Sequence, residues 1–406
     1  MRVLVLDGNE NQAVAATRSL GRAGYHVTVG ADTSWSKAGW SRHASESAAY
    51  PSPRDDAPAF VDAIERYVAR HKGTFVLPMT ERTTLPLSAH RDRLINSGAR
   101  FVLPAHSAVL RAFDKEAVRW IATDLGIAVP ETRVVCDAAQ ARAAAESVGF
   151  PVVLKPRVSE EVGPHGGPRP TGAPRYASSL SEVENAFADL SERCSDVLVQ
   201  SFVEGSGAGY FALLREGEVR AEFAHRRIRD VRPTGSGSAV RESVPVDAAL
   251  RNAGLRILEA LEWHGVAMVE FRRRADGSLV LLEVNGRFWN SLALAVHAGV
   301  DFPRMLAEIA FHGDVQPLAL YRTGIRCRWI LGDVRHLVAV MAGPPRGYPG
   351  QFPHRWRTLL DVLAPRAGMR HDNFELADPL PGFGDVLDFA FRRVPATLAK
   401  RRQARP

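Results

Sequence analysis

Residues 266–287 constrain the fold of this chain more than any other stretch. Two apolar runs, 266–271 and 279–284, flank Asp276-Gly277. Asp-Gly between such runs signals a two-residue β-hairpin, because the turn needs positive φ and glycine accepts it without strain. A two-residue loop sets Glu270 directly opposite Glu283, with Cβ atoms roughly 4.5–5.5 Å apart. Two carboxylates among apolar strand residues repel unless a cation lies between them or one takes a proton. Asn285 and Arg287 follow Glu283 at period two, so they share its face if the strand runs that far. That face offers two carboxylates, an amide oxygen and a guanidinium, and the first three are hard oxygen ligands suited to magnesium. The competing reading is a surface hairpin whose glutamates pair with Arg272, Arg273 or Arg274. A bulge in either strand would undo the pairing.

The first hundred residues alternate strands (3–6, 26–29, 74–79, 100–103) with helices (10–24, closed by Gly24, and 60–71). Such alternation predicts a doubly wound parallel sheet, an α/β domain. The segment Asp7-Gly8-Asn9-Glu10-Asn11-Gln12 lacks the glycine spacing of a dinucleotide site, which speaks against a nicotinamide-dependent enzyme. Beyond residue 108 the character changes. A helix over 114–125 contains Lys115, and a strand over 151–155 carries Lys155 and stops at Pro156. Residues 157–176 hold Gly163, Gly166, Gly167 and Gly172 with four prolines, a composition that reads as a mobile loop. A helix over 181–193, a strand over 197–203, a hairpin (211–214 and 219–225) and a helix over 248–262 follow. Arg226, Arg227, Arg229, Arg232 and Arg241 gather cations ahead of the acidic hairpin, either as a clamp on a carboxylate or phosphoryl group or as a solvated strand. Residues 234–238 read as a second loop, and 400–405 as a solvated basic tail.

Composition narrows the partners. The net charge is +7, yet only five lysines stand among 52 basic residues in the 406-residue chain. A drift toward arginine and alanine accounts for the charge without nucleic acid, and a lysine that survives the drift has more reason to carry a task. No run approaches the roughly 18 apolar residues of a membrane span, so no membrane partner is expected. The N-terminus reads as a strand rather than a signal peptide. Cys136, Cys194 and Cys327, odd in number and far apart, fit neither a disulfide framework nor a zinc site. They suggest a reducing, cytoplasmic location.

Glu270 followed by Glu283-Val284-Asn285-Gly286-Arg287 resembles the metal-binding pattern of the ATP-grasp superfamily, which includes biotin carboxylase and carbamoyl phosphate synthetase. Other landmarks fall in that family's order over about 108–312. Lys115 and Lys155 resemble its two phosphate-binding lysines, 157–176 its phosphate lid, and 197–205 its adenine hinge. The hinge lacks the acid more often found near Ser201, so adenine contacts there would be largely backbone. Residues 285–303 look most similar to uncharacterised bacterial carboxylate–amine ligase-like members.

The resemblance implies a Rossmann-like domain over 1–107, a lid subdomain over 108–200 and a core with the metal and nucleotide site over 201–315, the latter two built on antiparallel sheets. Residues 316–406 form an extension that would shape the substrate pocket or a homodimer contact. It implies magnesium or manganese on Glu270, Glu283 and Asn285. ATP would contact Lys115, Lys155, Gln200, Ser201, Val203, Glu204 and Leu282. Arg287, Arg226 and Arg229 become catalytic candidates, and Arg227 and Arg241 substrate contacts. The implied reaction activates a carboxylate as an acyl phosphate, with release of ADP, for attack by an amine or, less often, a thiol. The alternative is a non-catalytic module that binds ATP and magnesium within a larger assembly. The intact glutamate, asparagine and arginine set speaks against it.

Overall fold

The computed structural model describes residues 1–163, 167–364 and 367–393; Gly166 and the basic tail at 400–405 lie outside them. The N-terminal sheet is parallel, in the order Glu46–Ala49, His26–Ala31, Arg2–Val5, Thr74–Leu77, Ala99–Arg100. Successive residues of its central strand feed opposite cores, as double winding requires. Val3 and Val5 pack with Ala13, Val14 and Leu20 of the helix Asn11–Arg22, whereas Leu4 and Leu6 pack with Phe60, Val61 and Ile64 of the helix Ala57–Arg70. Gly24, at φ 84°, turns the chain out of the first helix. The edge strand Glu46–Ala49 has no apolar run to announce it, and the strand expected at 100–103 pairs only over Ala99–Arg100. Beyond the first strand, buried Asp7 accepts hydrogen bonds from Thr83 Oγ1 (2.6 Å), Thr80 Oγ1 (3.0 Å) and Arg82 Nε (3.0 Å). A carboxylate cluster therefore stands where a dinucleotide fold keeps its glycine turn.

A second sheet is antiparallel, in the order Arg175–Ala177, Val152–Pro156, Val197–Ser201, Thr132–Val135. The helices Ala138–Val148 and Leu180–Ser191 cover one face, burying Val152, Leu154, Val197 and Val199. Strand alternation then aims Val153, Lys155 and Gln200 at the other face. The third sheet runs Leu279–Asn285, Gly265–Arg273, Ser206–Arg215, Glu218–Arg232, Ser236–Val244, Arg326–Arg328, Arg370–His371. Its last two strands come from the C-terminal region, and only they pair in parallel. One face packs on the helices Lys115–Asp124 and Ala248–Ala260. The other packs on Leu292–Ala298 and Phe302–His312, which bridge it to the N-terminal sheet.

Candidate active site

A cavity of about 400 Å³ opens between the second and third sheets. On the hairpin side, Glu270 pairs with Glu283. The turn below them differs from the two-residue loop. Arg274 N donates to Ser278 O (2.9 Å), so Ala275, Asp276 and Gly277 (φ 85°) form a three-residue loop. A bulge at Leu282 then restores the opposition of the glutamates and turns Leu282 toward the cavity as well.

The two carboxylates are treated differently. Glu270 Oε1 lies 2.7 Å from Arg227 Nη2; burial and the facing Glu283 push its pKa up against that cation. Glu283 is also pushed up by burial, but Lys115, Lys155 and a hydrogen bond from Asn285 outweigh it and hold the group below the usual range. Asn285 Nδ2 donates to Glu283 Oε1 (3.3 Å), and Asn285 Oδ1 accepts from Arg287 Nη2 (2.9 Å). Arg287 also donates to Phe288 O (2.9 Å) and lies 3.7 Å from Glu81 Oε1.

Opposite, Lys155 stands buried in its strand, and burial with the nearby Lys115 pushes its pKa down to about 8. Lys115 begins the helix Lys115–Asp124, where Asp114 caps the backbone, accepting from Glu116 N (2.9 Å) and Ala117 N (3.3 Å). Its acidic neighbours are engaged elsewhere, Asp114 with Arg157 (2.6 Å) and Glu116 with Arg119 (2.7 Å). Lys115 Nζ is left to donate to Ser159 Oγ (3.2 Å) on the glycine-rich segment. That segment contains a hairpin, Glu160–Val162 with Pro168–Pro170, rather than an unstructured loop. Gly167 lies so close to the backbone of Pro53 and Arg54 that no Cβ would fit, and Arg54 pairs with Glu160 (2.7 Å).

Gln200, Ser201, Phe202, Val203 and Leu282 line the cavity on the hinge side. Gln200 Nε2 is committed to Thr132 Oγ1 (2.9 Å). Glu204 lies in a neighbouring groove with Arg273 and Arg274. The arginine cluster divides. Arg227 reaches the cavity. Arg226, on the opposite face of the strand, is exposed and pairs with Glu242 (3.0 Å). Arg229 pairs with Asp333 (2.7 Å), and Arg241 is buried against Asp372 and Ser238 O. The structure does not bring Arg226, Arg229, Arg241 or Glu204 to the cavity. An irregularity around Ile228 breaks the period-two relation of Arg227 and Arg229. Two further groups complete the surroundings: Glu81 stands beside Arg287 outside the cavity lining and has no sequence signal, whereas His225, at the head of the arginine-rich stretch, lines the cavity. Glu81 belongs to the N-terminal domain, and burial pushes its carboxyl up against Arg287 and Lys115. His225, whose Nε2 lies 3.0 Å from Ser291 Oγ, is held neutral by burial and by Arg227 and Arg241.

Among the described residues there is no cluster of three or more His, Cys, Asp or Glu able to hold a metal. The donor set here is Glu270, Glu283 and the amide oxygen of Asn285, which leaves coordination places for phosphate oxygens and water. That is the arrangement magnesium prefers.

Two antiparallel sheets enclosing a polar cavity, behind a parallel-sheet domain, are the architecture expected from the ATP-grasp resemblance. A family model described as ATP-grasp in the biosynthetic pathway with Ter operon matches residues 194–332. The N-terminal section of the carbamoyl phosphate synthase large chain of Methanopyrus kandleri is 28% identical over 214 residues, 50% of this chain and 36% of that protein. The chain thus spans about a third of that curated relative and less of others it matches. A biotin carboxylase–ATP complex from Campylobacter jejuni superposes with TM-score 0.60 at 16% identity, covering 80% of this chain and 74% of that one. An L-amino acid ligase from Bacillus licheniformis superposes with TM-score 0.58 at 16% identity, covering 78% and 77%. Residues 194–332 thus match an ATP-grasp family model, and the chain shares its fold with a biotin carboxylase and an L-amino acid ligase.

Proposed function

We propose that this protein is an ADP-forming ligase that activates a substrate carboxylate as an acyl phosphate for attack by an amine. The observation that carries the reading is the convergence of Lys115, Lys155, Glu270, Glu283, Asn285 and Arg287 on one cavity. Two ammonium groups meet at this cavity, and the low pKa of Lys155 expresses first its burial and then the repulsion from Lys115. A polyanion lying between them relieves it, as the phosphates of ATP would. When bound on Glu270, Glu283 and Asn285, magnesium would neutralise charge developing on the phosphates; manganese suits the same oxygens.

The chain's own groups divide the remaining work. Arg227, 2.7 Å away, opposes the upward push that burial and Glu283 exert on the Glu270 carboxyl. Arg287, oriented by Asn285 and the Phe288 carbonyl, presents its guanidinium to oxygen on the transferring phosphoryl group. Gln200, Ser201, Val203 and Leu282 form the adenine side. The 157–176 segment covers the phosphates and keeps water from the acyl phosphate. The likeness to an L-amino acid ligase supports acids and amines of amino-acid size, with a thiol as the less favoured nucleophile.

The test is ADP release by the full chain with ATP and magnesium, challenged with pools of amino acids, amines and carboxylic acids, against Glu283→Ala. Release that depends on one pool and disappears in the variant supports the ligase. Magnesium-dependent ATP binding without release from any pool supports the non-catalytic module instead.

A further inference from the structure

Among the described residues, 23 large apolar side chains stand exposed, and 13 of them fall within residues 330–391. That concentration is too great for the scattered exposure every surface carries. Seven of the thirteen lie on two helices, Ile330–Ala342 and Arg355–Leu363, which pack against each other. Each turns one face inward, with Asp333, His336 and Val340 on the first and Thr358 and Val362 on the second. The outward faces carry apolar stripes at helical spacing. Val334, Val338 and Met341 form one; Trp356, Leu360 and Leu363, each at least 67% exposed, form the other. The sequence of this stretch is mostly basic. Residues 334–370 include six arginines, Arg355 and Arg357 beside Trp356 among them, against the single acid Asp361.

We propose that this face docks on an anionic lipid surface. Outward apolar stripes holding a tryptophan, set among arginines, supply the two components of interfacial binding: apolar burial and attraction to negative headgroups. A second copy of the chain would meet arginine with arginine. A nucleic acid would satisfy the arginines and leave the stripes in water. Docking is distinct from spanning, and no helix of the described residues is long and apolar enough to cross a membrane. The proposal is independent of the ligase reading, since none of the stripe residues lines the cavity.

Vesicle flotation of the full chain tests it, comparing equimolar phosphatidylcholine and phosphatidylglycerol with phosphatidylcholine alone. Binding is expected on the anionic vesicles only, and should weaken as salt rises. Trp356→Ser with Leu360→Ser, and separately Arg355→Glu with Arg357→Glu, should each weaken it roughly tenfold or more. Circular dichroism and the thermal midpoint check that the variants fold. Absence of binding, equal binding to both vesicles or undiminished binding by folded variants would overturn the proposal. So would a dimer in ultracentrifugation that the Trp356/Leu360 variant dissociates, because the stripes would then be covered by a second copy.

Discussion

Lys155 is a residue at which binding chemistry and stability oppose each other. Its pKa is pushed from 10.5 to about 8, chiefly by burial and further by Lys115. Below pH 8 the folded chain bears the full cost of a charged, buried ammonium. As pH rises toward 10.5 the folded state releases this proton before the unfolded state does, so stability climbs. The shift corresponds to roughly 3 kcal/mol at neutral pH. Lys155→Met is therefore expected to raise the urea midpoint of the unliganded protein at pH 7, with the gain vanishing near pH 10.5, and to weaken ATP binding by about tenfold or more. A midpoint at pH 7 equal to or below that of the parent would refute the stability half of the argument. Residues of this kind were legible because each has a local signature: a strand-borne lysine in a lysine-poor chain, or two glutamates at matched distances from a turn. Glu81 has none, since only the packing of the N-terminal domain brings it to Arg287. Arg226, Arg229 and Arg241 misled for the opposite reason. In an arginine-rich chain, clustering in sequence does not say which face each side chain takes.

At the scale of elements, the acidic hairpin reaches its expected register by an unexpected route. The loop has three residues instead of two, and the bulge at Leu282 cancels the resulting offset at Glu283. The Asp276-Gly277 turn signal led to the pairing, which holds at the glutamates because the longer loop and the bulge offset each other, and a one-residue bulge leaves no composition mark. The strand's far end is shaped by packing. Gly286 stands between Asn285 and Arg287, and a Cβ there would collide with the ring of buried Trp263, which is held by its Nε1–Val266 O hydrogen bond (3.1 Å). Gly286→Ala must displace that ring or the strand end, at an expected cost of about 1–3 kcal/mol. Because the displaced segment carries Asn285 and Arg287, the turnover measured as ADP release should fall more steeply than the urea midpoint. A variant that loses stability but keeps full turnover would show that Trp263 yields and the strand end does not.

Across the whole molecule, the C-terminal region does more than extend the core sheet. Arg18 reaches from the N-terminal domain to Asp378 (2.8 Å) and to the carbonyls of Asn373 (2.9 Å) and Asp372 (3.1 Å). Lys37, fully buried, donates to Asp385 Oδ1 (2.7 Å) and Asn11 Oδ1 (2.6 Å), while Trp329 Nε1 donates to Asp385 Oδ2 (2.7 Å). Arg18 and Asp378, and Lys37 and Asp385, lie more than 340 residues apart in the chain. No local pattern links them, which is why residues 316–406 carried no motif readable in the sequence. Burial pushes the Asp385 carboxyl up, and Lys37 outweighs it and holds the group below its ordinary value. Its contribution is therefore present above the ordinary aspartate range and lost as pH falls through the lowered folded value. Lys37→Met would leave a buried carboxylate with little but the Trp329 and Asn373 hydrogen bonds, an expected loss of about 3–5 kcal/mol. In that variant the balance reverses: Asp385 is pushed up, so mild acid should recover part of the loss by protonating it. Adding Asp385→Leu removes the stranded charge and should restore much of the urea midpoint, since an apolar pair can replace a buried ion pair at little cost. If the double variant is no better than Lys37→Met alone, the lysine matters for its packing rather than its charge, and the clamp between the two ends of the chain is steric.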